Sequence, residues 1–581
     1  MARKRSSRRA APTRQARRAD RARQQIAPTT PGRARSALER SIHRMVRRRP
    51  VLIACALAAL HIALALITFA PQPHTGGDNA AYITLAQSLL DSGTYTELWD
   101  PALPPHTKYP PAFPAILAIA IALGLKPWVQ LKLVVIALSA AAVAFSFLWI
   151  RARRRAVLAL GIGIALAVAP GVLREGRWIL SDVPFWAFTM IALWALERLR
   201  PDDWKRFAIA AAAVVIAYFT RSAGLPLLLA ALAWLAWRRH WKQLAALVVI
   251  AGIPALLWWL RARSYGPAGY VSEFWLINPY DPALGRIGAG DLVRRIVQND
   301  WKYMSVHLPI LLTGGTAAAV VLFSVTTFLL ALAGWVRRIR APRAADLFLP
   351  LYLGLIFVWP DVWSGERFLL PVLPLILCYA ADTLLLAMRR LAPGYAFATG
   401  AAALALLLVM ALPGIAEATR TGRTCTDLYR AGDRYPCVGP VWDDFFELAE
   451  LAPQMLPDDA VVLSRKPRLF YALAGTRSSI YPFSEDPAAF FATADSVGAR
   501  YVIFDQLGGT ADAYLRPALL SKPQAFCIMR VTPATGTVLF AIRPDHAALP
   551  PAGAAAYAPS FSFCDESYWR SPAAMQSFGG G

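Results

Sequence analysis

Long apolar runs dominate the first 416 residues, and each ends at a basic cluster or a polar loop. The first run, 51–70, is long enough as a helix to cross a hydrocarbon core of about 30 Å. We therefore predict a polytopic α-helical membrane protein with about 11 transmembrane helices. The other runs are 129–150, 156–173, 183–196, 207–219, 223–237, 243–260, 308–336, 344–360, 368–388 and 395–416.

Basic residues cluster after every second run. Because Lys and Arg are enriched in cytoplasmic loops, this spacing predicts a cytoplasmic N-terminus and an extracytoplasmic C-terminus. The predicted outer regions are 71–128, 174–182, 261–307 and 361–367, with everything after about 417. The clusters are Arg151, Arg153, Arg154 and Arg155; Arg198, Arg200, Lys205 and Arg206; Arg238, Arg239 and Lys242; Arg337, Arg338, Arg340 and Arg343; and Arg389 with Arg390.

The apolar segment 112–125 is shorter, about 21 Å as a helix. As a full span it would place the cluster at 151–155 outside and reverse every later loop. We therefore predict a juxtamembrane or re-entrant helix on the outer side.

The last block, 417–581, changes character. Short apolar runs at 460–463 and 501–504 alternate with helical stretches, which is typical of a small α/β domain. We predict a helix over 445–455 and a strand over 537–542. Cys425, Cys437, Cys527 and Cys564 lie in this outer block, where disulfides can form. Four cysteines allow three pairings, and we favour Cys425 with Cys437 and Cys527 with Cys564.

Composition agrees with a membrane protein. The chain is 57% hydrophobic and 17% charged, whereas a soluble domain is about 45–50% apolar and about 25% charged. The net charge of +25 is uneven, because residues 1–50 hold 17 Lys and Arg against Asp20 and Glu39. We predict a disordered cytoplasmic tail that touches anionic membrane lipids. No aromatic residues or folded module accompany the arginines, so nucleic acid is not an expected partner.

Two aspartates in the outer loops are candidate catalytic residues. Asp78 follows a glycine pair and begins an amphipathic helix, so it is either a base at the rim of a membrane cavity or a helix N-cap. Asp182 begins a predicted span. Asp182 or Ser181 can therefore also be the N-cap of that helix. Arg174 and Arg177 lie within eight residues of Asp182, although positive charge is not favoured outside.

Further charged residues interrupt apolar runs at the same predicted face. Arg221 separates two spans, and Glu366 with Arg367 precedes another. Arginine is well suited to binding phosphate, and this inventory suits a site that holds a lipid-linked phosphate and activates an acceptor. No metal site with zinc spacing is present in the sequence, but two aspartates can share a divalent cation, so metal dependence stays open.

At these residues the chain resembles the GT-C superfamily of membrane glycosyltransferases, in the branch of protein O-mannosyltransferases and lipid A aminoarabinose transferases. The resemblance covers about 50–560. Its motifs are Asp78 with Tyr82 and Lys108-Tyr109-Pro110-Pro111, then Ser181-Asp182-Val183-Pro184-Phe185, and then Arg367-Phe368 with Pro371 and Pro374. It implies a transmembrane catalytic domain over 51–416 followed by an extracytoplasmic α/β domain over 417–581.

The resemblance implies inverting transfer of a sugar from a polyprenyl-phosphate donor to an acceptor hydroxyl. Asp78 would be the base or would orient the acceptor, and Asp182 would shape the sugar site. Lys108, Arg221 and Arg367 would contact the phosphate. Three acceptor classes are open: glycolipid, glycan and protein. The mannosyltransferases carry an Asp-Glu pair, whereas Asn79 follows Asp78 here, which argues against protein as the acceptor. The lipid A enzymes place Lys directly before the proline pair, whereas here Tyr109 intervenes.

A transporter or flippase of a lipid-linked sugar or polysaccharide is the alternative. Transporters place functional charges near the bilayer midplane and often show inverted repeats, whereas the candidate acids here lie in outer loops. Ala- and Arg-rich usage indicates a bacterial plasma membrane.

Overall fold

The computed structural model describes residues 37–126, 128–153, 156–265, 273–551 and 560–579. Residues 1–36 of the predicted tail, and Arg154 and Arg155 of the first basic cluster, lie outside the described residues. The helices before residue 265 are α1 Ala37–Arg48, α2 Pro50–Ile67, α3 Gly77–Asp91, α4 Ala112–Ala122, α5 Leu131–Arg153, α6 Ala156–Val168, α7 Pro170–Glu175, α8 Asp182–Leu196, α9 Trp204–Thr220, α10 Leu225–Trp237 and α11 Trp241–Ser264.

A short antiparallel hairpin, β1 Leu276–Asn278 and β2 Asp281–Arg286, separates these helices from the second group. That group is α12 Ala289–Lys302, α13 Leu308–Thr313, α14 Ala318–Val336, α15 Ala344–Val358, α16 Leu373–Leu391 and α17 Ala396–Arg430. Five described helices are long and apolar enough to cross a membrane: α2, α5, α11, α14, and α17 together with the turn before it. Shorter apolar helices include α4, α6, α8, α10 and α15.

Each of these five helices contains an 18-residue apolar window with at most two charged residues, as membrane-spanning helices do. α11 exposes a band of large apolar side chains that includes Val249, Ile253 and Leu257. α8 is the opposite case, because nearly all of its residues are buried between α5 and α9. The first residue of this central helix is Asp182, so the packing of the bundle holds that carboxylate in place.

Two predicted spans are broken in the structure. The run 156–173 divides at Pro170, which begins α7 because proline suits the first turn of a helix. The run 308–336 divides where Gly314 adopts a left-handed conformation (φ 82°) and ends α13. A Cβ at Gly414 would lie only 2.2 Å from the Thr313 carbonyl oxygen, so α17 approaches α13 closely here.

The ends of the predicted membrane region also differ from the prediction. Residues 37–48, predicted to be part of a disordered tail, form α1. Ile42 and Val46 lie one helical turn apart and pack inward. At the other end, α17 continues to Arg430, past the predicted boundary at 416. The short segment at 112–125 is helical over α4, which packs against α3 and α5.

The last block contains a five-stranded sheet with helices on both faces. Its strands are β3 Val461–Leu463, β4 Arg477–Ser479, β5 Tyr501–Phe504, β6 Phe526–Val531 and β7 Val538–Ile542, in the order β4-β3-β5-β7-β6. β3 is parallel to β4 and β5, and the pairs with β7 are antiparallel. The helices are α18 Pro440–Met455, α19 Pro467–Ala474, α20 Pro487–Val497, α21 Arg516–Ser521 and α22 Pro572–Phe578.

Alternation along the strands fills one core on each face of the sheet. Tyr501 and Ile503 pack with α18 and α19, whereas Val502 packs with α20 and α21 on the other face. The predicted helix at 445–455 and the strands at 460–463, 501–504 and 537–542 are therefore present, with small shifts of their ends.

Disulfide bonds join Cys425 to Cys437 and Cys527 to Cys564, which is the favoured pairing. The first bond ties the end of α17 to the segment before α18. The second ties β6 to the C-terminal segment.

The α/β domain packs directly on the segment 71–128, which is the predicted first outer loop. α19 lies against α3, and Ala80 of α3 belongs to the core that this domain builds on that face of the sheet. The Ser478 amide also donates to the Trp99 carbonyl oxygen at 2.8 Å. The helix that carries Asp78 is thus held between the bundle and the α/β domain.

Candidate active site

The Asp78 side chain does not cap its helix. Gly76 is the N-cap of α3, and Asp78 is the second residue of that helix. Its Oδ1 accepts a hydrogen bond from the Tyr109 hydroxyl at 2.7 Å, and its side chain is 38% exposed. The N-cap alternative therefore does not describe Asp78, whose carboxylate faces other groups and partly faces solvent.

Arg367 lies between the two candidate aspartates. Its Nη2 is 3.8 Å from Asp78 Oδ2, and its Nε is 3.9 Å from Asp182 Oδ2. Arg221 Nη1 is 2.7 Å from Asp182 Oδ1, so two guanidinium groups face the more buried carboxylate. Both arginines also lie over the ring of Phe368, 4.7 Å away for Arg221 and 5.2 Å for Arg367. Four charged side chains from four separated segments thus meet in one place.

The local field keeps Asp78 ionised. Burial raises the pKa of the Asp78 carboxyl, but the Arg367 guanidinium, the Tyr109 hydroxyl and two further arginines together outweigh it and hold that pKa below its usual range. Burial lowers the pKa of His74 to about 4, and Arg367 adds to this effect. The Gly76 amide donates to His74 Nδ1 at 2.9 Å, so Nε2 carries the proton of the neutral ring. Asp78 is the anionic group here and His74 is neutral near pH 7.

Aromatic residues hold the first outer loop against the start of α8. The Tyr82 hydroxyl is 2.8 Å from Ser181 Oγ, which links α3 to the residue before Asp182. The Tyr82 ring lies 5.0 Å from the rings of both Tyr109 and Phe113. These contacts place Tyr82 and Tyr109, both candidates from the sequence pattern, next to the two aspartates.

Lys108 is placed differently from the expectation. Its ammonium group pairs with Glu273 Oε2 at 2.8 Å and lies 5.5 Å from the centre of the Trp363 ring. Lys108 is therefore paired with a carboxylate from the segment 261–307. A donor phosphate would have to compete with Glu273 for the ammonium group.

The remaining candidates divide into two groups. Arg174 pairs with Glu175 and with Glu366, and Glu366 directly precedes Arg367 in the chain. Arg177 is buried and donates to the Thr68 carbonyl oxygen at 2.6 Å, so it closes the end of α2 and is not among the four charged groups. Burial also raises the pKa of Glu175 to about 7, against the opposing effect of Arg174.

Arg468 is a site residue that sequence reasoning missed. It lies in α19 of the α/β domain, and its Nη1 donates to the Tyr109 hydroxyl at 3.0 Å. A signal was available: Arg465, Lys466 and Arg468 are three cations in four residues, within a block where acidic residues outnumber basic ones. The role of Arg468 depends on its contact with Tyr109, which lies 359 positions away in the chain. No local sequence pattern shows such a contact.

Among the residues that the structure describes, no group of three or more His, Cys, Asp and Glu side chains could hold a metal ion. Asp78 and Asp182 are instead connected by the Arg367 guanidinium.

No protein-family model matches the chain, and no curated protein matches it by sequence. Solved structures do match. ArnT from Cupriavidus metallidurans in the apo state is 16% identical, with a TM-score of 0.51 over 84% of this chain and 97% of that one. The same protein bound to undecaprenyl phosphate gives 16% identity and a TM-score of 0.51 over 85% and 98%. The chain has the GT-C fold.

A structure of the Archaeoglobus fulgidus oligosaccharyltransferase in complex with Zn and sulfate is a further match. That structure is 15% identical, with a TM-score of 0.49 over 84% of this chain and 73% of its own. The match to ArnT covers 84–85% of this chain, so it extends beyond the helical bundle.

Proposed function

We propose that this protein transfers a sugar from a polyprenyl-phosphate donor to an acceptor hydroxyl at the extracytoplasmic face of a bacterial plasma membrane. The observation that carries the proposal is the group Asp78, Asp182, Arg221 and Arg367, in which two carboxylates and two guanidinium groups meet. The GT-C fold agrees with this class of reaction, and one neighbour of that fold was solved with undecaprenyl phosphate bound.

An apolar cavity next to Arg221 supports a lipid-linked donor. It has a volume of about 350 Å³ and lies between α10 and α15. Ser222, the residue after Arg221, lines one part of it, and the remaining lining residues are apolar: Leu225, Pro226, Leu229, Leu351, Gly354, Leu355 and Val358. A polyprenyl chain fits such a lining, and its phosphate would then lie near the Arg221 guanidinium.

The expected chemistry needs little beyond a base and cationic groups. The acceptor oxygen attacks the anomeric carbon, the bond from that carbon to the phosphate oxygen breaks, and the acceptor proton passes to Asp78. Direct displacement inverts the anomeric configuration. Arg221 and Arg367 stabilise the charge on the departing polyprenyl phosphate. Asp182 holds both arginines in place and shapes the sugar site.

The low pKa of Asp78 fits this order of events. An ionised carboxylate is present at neutral pH but is a weak base towards an alcohol. Proton transfer therefore accompanies formation of the new bond, when the attacking oxygen has become more acidic. Polyprenyl phosphate is a good leaving group, so a strong base is not needed.

A genetic experiment tests the proposal and identifies the product. Cells lacking the protein are complemented with wild type, with Asp78→Asn, or with Asp91→Asn as a control. Asp91 is the last residue of the same helix and is exposed. We expect one envelope glycan or lipid species to disappear without the protein and to return with wild type and Asp91→Asn only. An unchanged lipid and glycan composition in the deletion strain would contradict the proposal.

A further inference from the structure

Arg468 connects the α/β domain to the candidate base. Besides its hydrogen bond to Tyr109, its guanidinium lies 5.2 Å from the centre of the Trp99 ring and 5.6 Å from that of Tyr109. Its side chain also passes close to the start of α3, because a Cβ on Gly77 would meet Arg468 Cδ at 3.9 Å. The guanidinium is thus enclosed by the first outer loop, although it belongs to α19.

The hydrogen bonds run in one direction through Tyr109. A phenol hydroxyl has one proton to donate, whereas an arginine can only donate. Arg468 Nη1 donates to the Tyr109 oxygen at 3.0 Å, so the hydroxyl proton is left for Asp78 Oδ1 at 2.7 Å. Without Arg468 the hydroxyl could rotate or accept from water, and its bond to Asp78 would be less well defined.

We propose that Arg468 is a positioning residue supplied by the α/β domain, which fixes the Tyr109 hydroxyl and through it orients the Asp78 carboxylate. This inference rests on the proposed function of Asp78. It assigns the α/β domain a part in the reaction, because α19 packs against the helix that carries Asp78. A displacement of this domain would remove Arg468 from Tyr109.

Asp78 has other charged and titratable neighbours, which come from its own helix and from several other segments. The Coulombic neighbours and hydrogen-bond partners around it are His74, Tyr82, Tyr109, Arg221, Arg367, Lys466 and Arg468. Unlike Arg367, Arg468 is not among the residues that pair with Asp182. Its removal therefore leaves Arg221 and Arg367 in place beside that carboxylate.

The test compares transfer by purified full-length variants, with polyprenyl-phosphate-linked sugar as donor and an extract of envelope lipids and glycans as acceptor. We expect Arg468→Gln to lower kcat about tenfold with little change in the donor KM, as for loss of one charge-assisted hydrogen bond. In a Tyr109→Phe background the same change should cost much less, because its route to Asp78 is already gone. Arg477→Gln is the control, since Arg477 is exposed and contacts the same loop at the Pro101 carbonyl oxygen, 3.3 Å away.

The pH profile separates positioning from general support of the fold. Arg468 helps to lower the pKa of Asp78, and the ionised carboxylate is the active form above that pKa. Arg468→Gln should therefore move the acid limb of kcat to higher pH, whereas Arg468→Lys should keep it near wild type and Arg477→Gln should not move it.

Three results would overturn the positioning role. The first is an equal loss of kcat from Arg468→Gln in the wild-type and Tyr109→Phe backgrounds. The second is an acid limb of kcat that moves as far in Arg468→Lys as in Arg468→Gln. The third is the same changes in the control Arg477→Gln. Asp78→Asn separates the two proposals. Full turnover by that variant refutes the proposed base, whereas an inactive Asp78→Asn beside an unaffected Arg468→Gln refutes only the role of Arg468.

Discussion

Arg153→Met should destabilise the protein strongly, because Arg153 neutralises two buried carboxylates at the end of the bundle opposite the site. Its Nε is 2.9 Å from Glu197 Oε2, and its Nη2 is 2.8 Å from Asp346 Oδ2. The three side chains are 0%, 2% and 1% exposed. Removing one partner of a buried ion pair costs about 3–5 kcal/mol, since it leaves an uncompensated charge. We expect a loss at the upper part of that range, because Glu197 loses its ion-pair partner and Asp346 keeps only the more distant Arg338, whose Nε is 3.9 Å from Oδ1.

The assay is the temperature at which purified protein in detergent loses its monodisperse peak in size-exclusion chromatography. Arg151→Met is the matched control, because Arg151 is half-buried and takes part in none of the ion pairs found among the described residues. The triple variant Arg153→Met, Glu197→Gln, Asp346→Asn should recover most of the loss, since both charges are gone. In this variant the side-chain amides at positions 197 and 346 each keep an oxygen. These oxygens can accept hydrogen bonds from the backbone N–H groups of Ala345 and Arg343. An Arg153→Met protein as stable as wild type, or a triple variant no better than the single one, would refute the reasoning.

Three further predictions concern topology, the disulfides and pH. A reporter fused after Arg390 should face the cytoplasm and one fused after Glu417 should face outward, and both on one side would contradict the loop assignment. The double variant Cys527→Ser, Cys564→Ser should lose about 2–4 kcal/mol of outer-domain stability, seen as proteolysis at lower temperature; unchanged resistance would count against a structural disulfide. Transfer should persist at pH 5, because the pKa of Asp78 is depressed and activity is lost only as pH falls through it. A rate that falls by half between pH 7 and pH 6 would place another group in control.

Features that depend on periodicity could be predicted from the sequence. The strands at 460–463 and 501–504 were predictable because a short continuous apolar run is typical of a strand in a sheet with both faces covered. The two aspartates stay predictions: a charged residue beside a long apolar run is unusual, and the basic clusters predict on which side of the membrane each one lies.

Features that depend on distant contacts could not be predicted. Hydropathy counts 308–336 as one run, because the turn at Gly314 is set by how closely α17 approaches α13. Lys108 looked available for phosphate, since its partner Glu273 lies 165 positions away. Arg153 looked like a topology signal, whereas it is also buried between Glu197 and Asp346. For Lys108 and Arg153 the charge was visible in the sequence and its partner was not.

The most direct test of the central claim is sugar transfer by the purified protein in liposomes. The donor is a radiolabelled polyprenyl-phosphate-linked sugar, and the acceptor is the envelope lipid or glycan fraction that the deletion strain leaves unmodified. We predict label in the acceptor, and equal release of polyprenyl phosphate, with wild type and Asp91→Asn and neither with Asp78→Asn. Transfer by Asp78→Asn at the wild-type rate, or movement of the intact donor across the bilayer without transfer, would contradict the claim.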